Sequence, residues 1–307
     1  MDILNTIDLS KSYNNKFVVD KVNMHIEKGD IYGFVGENGA GKTTVIRMIC
    51  GLAKPTNGEF KLFDVSSNNI KIGKAREKMS GIVESVSVIR NMTALNNLIF
   101  QAKIVNSKKT KEELIQLLKD VGLNYEEIKN KKAGDFSLGM RQRLGIAITM
   151  ISDPEFVILD EPMNGLDPQG FVEMRNTILN LNKKGVTFLI SSHILSELEK
   201  VCNRIGFISH GKILEETTID ELHAKARNRI VVESDNNELL LELLKNKLEL
   251  KDIVEEKNQI IIYDSIDINL ILKLVYDNKI TLIHFSEIEG TIEDYYLNLV
   301  MGGMDNA

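Results

Sequence analysis

The sequence has few of the residues that mark secreted and membrane-spanning proteins. Its 307 residues include two cysteines, four prolines and no tryptophan. Cys50 and Cys202 form no CxxC pair and are too few for a disulfide framework, so reduced, core-packed thiols are expected. No uninterrupted apolar run exceeds four residues, whereas a membrane-spanning helix needs about 20. Because the first residues also lack the basic-then-apolar order of a signal peptide, the chain is predicted to be cytosolic or to lie on the cytosolic side of a membrane.

Basic charge is also scarce. The chain has 38 Lys and Arg against 44 Asp and Glu, a formal net charge of −6. A general nucleic-acid binder would present a basic surface, so no nucleic-acid partner is expected. The deficit lies at the C-terminal end, where residues 229–307 hold 7 basic and 16 acidic side chains. We therefore predict two domains, residues 1–220 and a small acidic domain at 221–307, with a frayed tail from Gly302.

A glycine-rich segment in the N-terminal region carries the most specific chemical signal. Residues 36–44 fit the pattern G-x-x-x-x-G-K-[ST], with a predicted strand before them and an apolar-periodic helix after them. Glycine lets backbone N–H groups wrap a phosphate closely, and the helix N-terminus adds partial positive charge. Lys42 is predicted to reach the β- and γ-phosphates and Thr43 to bind Mg²⁺. The predicted nucleotide-binding residues are Asn38, Gly39, Ala40, Gly41, Lys42, Thr43 and Thr44.

Two further predicted strands end in polar side chains. Asp160 and Glu161 follow the apolar run 156–159, and His193 follows the strand 186–192. In open α/β sheets the carboxyl ends of parallel strands bind ligands, so these side chains are expected beside the glycine-rich loop. Asp160 is predicted to hold Mg²⁺, Glu161 to act as the general base and His193 to sense the γ-phosphate. The alternatives are a solvated acidic turn and a structural histidine.

A fourth motif leads to a family resemblance. In the segment 135–144, Ser137 could cap a helix while Gly139 leaves its backbone open to an anion, which by itself indicates a second phosphate site. With the three motifs above, in this order, residues 3 to about 220 resemble the ATPase subunit of ABC transporters. The resemblance implies an α/β fold in which a P-loop ABC-type ATPase domain has a mixed-sheet core and a helical signature subdomain. It also implies ATP and Mg²⁺ as cofactors.

The same resemblance assigns further roles. Tyr13 matches the aromatic residue that stacks on adenine, and 164–167 matches the D-loop. In the family two subunits pair head to tail, so Ser137, Gly139 and Asp167 of one subunit would act in trans on ATP held by the other. A multi-helix membrane permease is the implied partner. The chain would then be peripheral, at the cytoplasmic face of the cell membrane, and soluble when isolated.

The sequence departs from the family pattern at two places. Leu138 and Met140 occupy the third and fifth signature positions, and Glu84 stands where the family has a glutamine. Both features resemble the subgroup that exports lantibiotics and bacitracin-like peptides for self-immunity or resistance. Glu84 is therefore expected to bind Mg²⁺ and to take part in catalysis. The alternatives are the ATPase of a sodium or other small-solute exporter and a soluble ABC-type ATPase acting in translation or repair.

Two regions carry weaker predictions. The C-terminal region is expected to form a small α/β domain in the order strand, helix, strand, helix, strand. Residues 85–100 carry apolar side chains that would either contact a permease helix or belong to the core: Val86, Val88, Ile89 and Met92.

Overall fold

The computed structural model describes residues 1–226, 228–256, 258–288 and 290–304. The chain separates into two compact units, Met1–Ile219 and a second unit that begins at Asp220. Part of the tail predicted to fray, residues 305–307, lies outside the described residues, whereas residues up to Met304 are helical.

The first unit begins with strands and a single long helix after the glycine-rich loop. The helix, α1, starts at Lys42 because Gly41 forms its N-cap in a left-handed conformation. The elements of this part are β1 (Asp2–Tyr13), β2 (Lys16–Val22), β3 (His25–Glu27), β4 (Ile31–Val35), α1 (Lys42–Cys50), β5 (Asn57–Leu62), β6 (Val65–Ser66), α2 (Ile72–Arg76) and β7 (Met79–Ile82).

A helical segment follows. Thr93, Thr110, Asn124 and Ser137 each cap a helix by accepting a hydrogen bond from a backbone N–H, which fixes where the helix begins. The four helices are α3 (Ala94–Ile104), α4 (Lys111–Asp120), α5 (Tyr125–Ile128) and α6 (Leu138–Thr149).

The chain then returns to the sheet and completes the first unit. The elements are β8 (Phe156–Asp160), α7 (Pro168–Lys183), β9 (Thr187–Ser192), α8 (Leu195–Leu198), β10 (Arg204–Ser209), β11 (Lys212–Thr218) and, leading into the second unit, α9 (Ile219–Lys225).

One sheet of the first unit positions the predicted site. Within the described part of the chain it has the order β11-β10-β4-β9-β8-β7, and all its neighbouring strands are parallel except β11, which is antiparallel. Every residue of β4, β8 and β9 is buried, which explains the apolar runs at residues 156–159 of β8 and 188–190 of β9. The register places Val35 beside Ser192 and Asp160 beside Ser191. The carboxyl ends of these three strands therefore meet at one edge.

The second unit is an antiparallel sheet with helices. Its elements are β12 (Arg229–Ser234), α10 (Asn237–Lys247), β13 (Ile253–Glu256), β14 (Gln259–Ile262), α11 (Ile268–Asp277), β15 (Leu282–Ile288) and α12 (Ile292–Met304). The strand order is β13-β14-β12-β15. Its core includes Val232, Leu240, Leu244, Ile260, Ile262 and Ile271. The sequence did not predict β13, because this short edge strand carries two exposed glutamates and little apolar periodicity.

Both cysteines are free. Burial raises the pKa of the Cys50 thiol to about 11 and raises the pKa of the Cys202 thiol further. Both thiols are therefore protonated at neutral pH, so neither is a reactive nucleophile.

Candidate functional site

The loop between β4 and α1 encloses a cavity of about 190 Å³. Gly41 has φ of 110°, and a Cβ there would lie 2.9 Å from the carbonyl oxygen of Val18, so this position requires glycine. The Lys42 ammonium donates to the carbonyl oxygens of Gly36 at 2.6 Å and Glu37 at 3.1 Å. Ala40, predicted with the binding residues, is 6% exposed and packs inside the loop. The cavity lining is Val18, Glu37, Asn38, Gly39, Gly41, Lys42, Thr43, Thr44 and Glu161.

Glu161 links the loop to the end of β9. One carboxylate oxygen lies 3.2 Å from Lys42 Nζ, and the other lies 2.9 Å from His193 Nδ1. Its backbone has φ of 50°, a left-handed conformation, and its N–H donates to the Ser191 hydroxyl at 2.9 Å. A carboxylate between an ammonium and an imidazole, at the mouth of an anion-sized cavity, is placed to accept a proton there. An incoming phosphate would compete with Glu161 for Lys42.

Asp160 and Thr43 form a second contact at the same edge. The Thr43 hydroxyl donates to the Asp160 carboxylate at 3.0 Å, and the Ser191 hydroxyl donates to it at 2.6 Å. Hydroxyl and carboxylate oxygens are the donors that Mg²⁺ prefers, so these side chains fit the predicted metal. Ser191, which contacts both Asp160 and Glu161, was not predicted from the sequence. Its only signal is its place at the end of a buried strand.

Ser137, Gly139 and Asp167 form a separate group. Ser137 caps α6 by accepting from the Met140 N–H at 3.2 Å, and Asp167 caps α7 by accepting from the Gly170 N–H at 2.8 Å. Both helix N-termini line a cavity of about 520 Å³, which shares no lining residue with the loop cavity among the described residues. The N-termini of α1, α6 and α7 thus lie beside two separate cavities, and helix N–H groups are suited to binding an anion.

Glu84 and Tyr13 lie outside both cavity linings. The Glu84 side chain is 55% exposed and forms an ion pair with Arg47 of α1. Tyr13 is 48% exposed, and Lys11 Nζ lies 5.0 Å from its ring centroid. The assigned roles of Glu84 and Tyr13 therefore stay predictions.

Comparison with known proteins identifies the family. The ABC transporter family model matches residues 19–164. The bacitracin transport ATP-binding protein BcrA of Bacillus licheniformis is 42% identical over 308 residues, covering 98% of this chain and 98% of that protein. The chain belongs to the ATP-binding subunits of ABC transporters. The lantibiotic transport ATP-binding protein SrtF of Streptococcus pyogenes is 40% identical, over 69% of this chain and 90% of that protein.

A solved structure agrees with the assignment. An ATP-binding cassette of an ABC transporter, in its ADP conformation, is 25% identical and has a TM-score of 0.65, covering 72% of this chain and 94% of that one. The predicted family, the α/β cassette fold and the ATPase activity are thus confirmed, and the alternative of a translation or repair factor is not favoured. No helix within the described ranges has the length and apolar character needed to cross a membrane.

Proposed function

We propose that this ATPase subunit drives a membrane permease that exports an antimicrobial peptide of the bacitracin or lantibiotic kind, and so confers resistance. The observation that carries the proposal is the extent of the similarity. Two bacitracin transport ATP-binding proteins, from Bacillus licheniformis and Enterococcus faecalis, are 42% and 37% identical over 98% of this chain. Because these matches include the second unit, whereas the lantibiotic transport protein covers 69% of the chain, bacitracin-like peptides are the favoured substrate.

In the proposed reaction the loop cavity holds the phosphates of ATP. Lys42 would turn from Glu161 toward the β- and γ-phosphates, and freeing Glu161 would leave its carboxylate to accept a proton from the attacking water. His193, 2.9 Å from Glu161, would hold that carboxylate in place and contact the γ-phosphate. Thr43 and Asp160 would hold Mg²⁺, which supplies positive charge to the phosphates when bound.

We propose that two copies pair head to tail. The loop cavity of one subunit contains a cation and a base, and the second cavity contains the N-termini of α6 and α7. Since no described residue lines both cavities, one chain has two incomplete sites that a second copy would complete. Ser137, Gly139 and Asp167 would then close over ATP bound by the partner.

The permease would contact the segment after Glu84 at the cytoplasmic face of the membrane. Within this segment Val86 is partly buried and packs against α6, because a Cβ at Gly145 would lie 2.4 Å from its Cγ1 atom. Ile89 is 37% exposed, and Phe100 of α3 is 45% exposed. Exposed apolar side chains such as these are suited to a partner helix.

Deletion of the gene and complementation in its own host test the proposal. The wild-type gene should restore resistance to bacitracin by about tenfold or more, and Glu161→Gln should restore none, because about 10²-fold slower hydrolysis leaves no drive for export. Leu239→Ala, a change at a 39% exposed leucine of the second unit, is the matched control. Resistance to a lantibiotic alone would change the substrate assignment. Unchanged sensitivity to both peptides in the deletion strain would contradict the proposed function.

A further inference from the structure

Leu138 packs against the D-loop of its own chain. A Cβ added at Gly165 would lie 3.2 Å from Leu138 Cδ2, so the leucine methyl group rests on the Gly165 backbone. Leu166 approaches residue 139 in the same way, because a Cβ added at Gly139 would lie 3.6 Å from Leu166 Cδ2, an ordinary van der Waals distance. Leu138 is 38% exposed, so it also presents apolar surface to solvent. These two leucine–glycine approaches therefore bring residues 137–140, called here the signature element, against the D-loop (164–167).

The helices α6 and α7, which follow these two loops, are joined by an ion pair. Arg143 of α6 has a side chain that is 8% exposed and donates to Glu173 of α7 at 2.7 Å. The same guanidinium donates to the carbonyl oxygen of Gly122 at 2.8 Å, and Gln169 donates to the other Glu173 oxygen at 3.1 Å. The ion pair between Arg143 and Glu173 thus holds α6 and α7 together beyond these loops. At the front, no hydrogen bond or ion pair among the described residues joins the loop between β8 and α7 to α6, and Leu138 lies there.

That loop begins at the general base. The Asn164 N–H donates to the carbonyl oxygen of Glu161 at 3.1 Å, and the Leu166 N–H donates to that of Met163 at 3.2 Å. At its other end Asp167 caps α7. Leu138 lies near Gly165, in the middle of this loop. On one side is Glu161, which would act on ATP bound by the same chain. On the other side is Asp167, which would act on ATP bound by the partner.

We propose that Leu138 is a positioning residue that holds the D-loop beside the signature element, so that Ser137, Gly139 and Asp167 meet the partner's ATP as one surface. The inference rests on the proposed head-to-tail dimer for its effect on ATP use, but the positioning itself is a property of the single chain. Alanine at 138 keeps the start of α6, because alanine is a strong helix former, and removes only the contact. Methionine at 138 keeps the length and the contact.

Hydrogen–deuterium exchange of the full-length, nucleotide-free chain tests the positioning. In Leu138→Ala the amides of residues 163–170 should exchange about threefold faster or more, because the loop opens locally once its apolar contact is lost. Leu138→Met should restore wild-type exchange, and Leu239→Ala, an equally exposed leucine at 39% against 38%, should leave this segment unchanged. Unaltered exchange of residues 163–170 in Leu138→Ala would overturn the inference.

ATP-driven dimerisation in the Glu161→Gln background tests the consequence. Adding Leu138→Ala should raise the ATP concentration needed for half-maximal dimer formation by about three- to tenfold. The reason is that the D-loop would then have to be ordered beside the signature element when the dimer forms. Binding of a fluorescent ATP analogue to dilute monomer should not change. Equal ATP requirement with and without Leu138→Ala would contradict the coupling. If Glu161→Gln forms no dimer at saturating ATP, the proposed dimer itself fails, whatever the exchange experiment shows.

Discussion

The two units of the chain differ in how their charged groups are arranged rather than in how much space they enclose. In the first unit Lys42, Glu161 and His193 follow one another at 3.2 and 2.9 Å beside a cavity of about 190 Å³. In the second unit a cavity of about 560 Å³ is lined by both apolar and polar side chains, and its Arg229 is already paired with Asp294 at 3.6 Å. Volume does not separate the units, because the first unit also has a cavity of about 520 Å³, whereas convergent charge selects the first unit.

Sheet direction explains the difference. In the first unit β4, β8 and β9 are parallel, so their carboxyl ends deliver the glycine-rich loop, Asp160 and His193 to one edge. In the second unit β12 is antiparallel to both of its neighbours, so successive strand ends alternate between opposite edges. An antiparallel sheet of this kind does not collect side chains from several strand ends. The ATPase chemistry therefore belongs to the first unit.

The largest expected effect tests this assignment directly. Glu161→Gln should lower the ATPase rate about 10²-fold or more while ATP binding persists, because the amide cannot accept the proton from water. Glu256→Gln, the same change at an exposed position of β13, should leave the rate within about twofold. Steady-state phosphate release with Mg²⁺ present measures both. Near wild-type turnover in Glu161→Gln would show that Glu161 is not the general base.

A core substitution in the second unit tests whether the two units are separable. Leu240 is fully buried in the α10 core, so Leu240→Ala should destabilise this unit by about 2–5 kcal/mol. The ATP affinity of the first unit should not change. Leu239→Ala, at the adjacent exposed position, should cost far less. Calorimetry should show one transition moving down in Leu240→Ala, and a parallel loss of ATP binding would mean that the units fold as one.

The sequence predicted the first unit in detail because its motifs place chemistry at strand ends. The spacing from Gly36 to Thr43 requires a phosphate loop, and the structure has that loop between β4 and α1. Ser191 was missed because its role comes from lying beside Asp160 in the register, which no local pattern reveals. Strand β13 was missed because an exposed edge strand has weak apolar alternation.

The direction in which a side chain points could also not be predicted from the sequence. The family resemblance assigns Glu84 to the metal, but in the structure Glu84 faces Arg47 and is 55% exposed. A surface ion pair of this kind contributes about 0–1 kcal/mol, so Mg²⁺ could displace Arg47 at small cost. The metal role of Glu84 therefore stays a prediction.

Arg47 gives a sharper test of Glu84 than substitution of Glu84 alone. If the carboxylate binds Mg²⁺, Arg47 competes with the metal, so Arg47→Ala should lower the Mg²⁺ concentration for half-maximal ATPase by about two- to fivefold. Glu84→Gln should keep appreciable activity because an oxygen ligand survives, and Glu84→Ala should need more Mg²⁺ than either. Arg90→Ala, at another exposed arginine, is the control. Superimposable Mg²⁺ titrations for all four variants and the wild type would mean that Glu84 does not bind Mg²⁺.

The smallest expected effect concerns Glu216, a partly buried carboxyl group of β11. Burial raises the pKa of Glu216, although the backbone N–H of His25 at 3.0 Å and the charge of Arg204, 3.7 Å away, act in the opposite direction. A carboxyl pKa that is higher in the folded state favours folding below the unfolded pKa of about 4.3, and this stability is lost as pH rises through the folded pKa. Glu216→Gln keeps an oxygen for the His25 N–H and cannot ionise.

The difference in melting temperature between Glu216→Gln and wild type should therefore increase by about 2 °C between pH 4 and pH 8. Glu112→Gln, at an exposed glutamate of α4, should show the same difference at both pH values. Scanning calorimetry or thermal fluorescence at the two pH values measures this. A difference that falls with pH would mean that pairing with Arg204 outweighs burial, because removing the charge would then cost most where Glu216 is ionised.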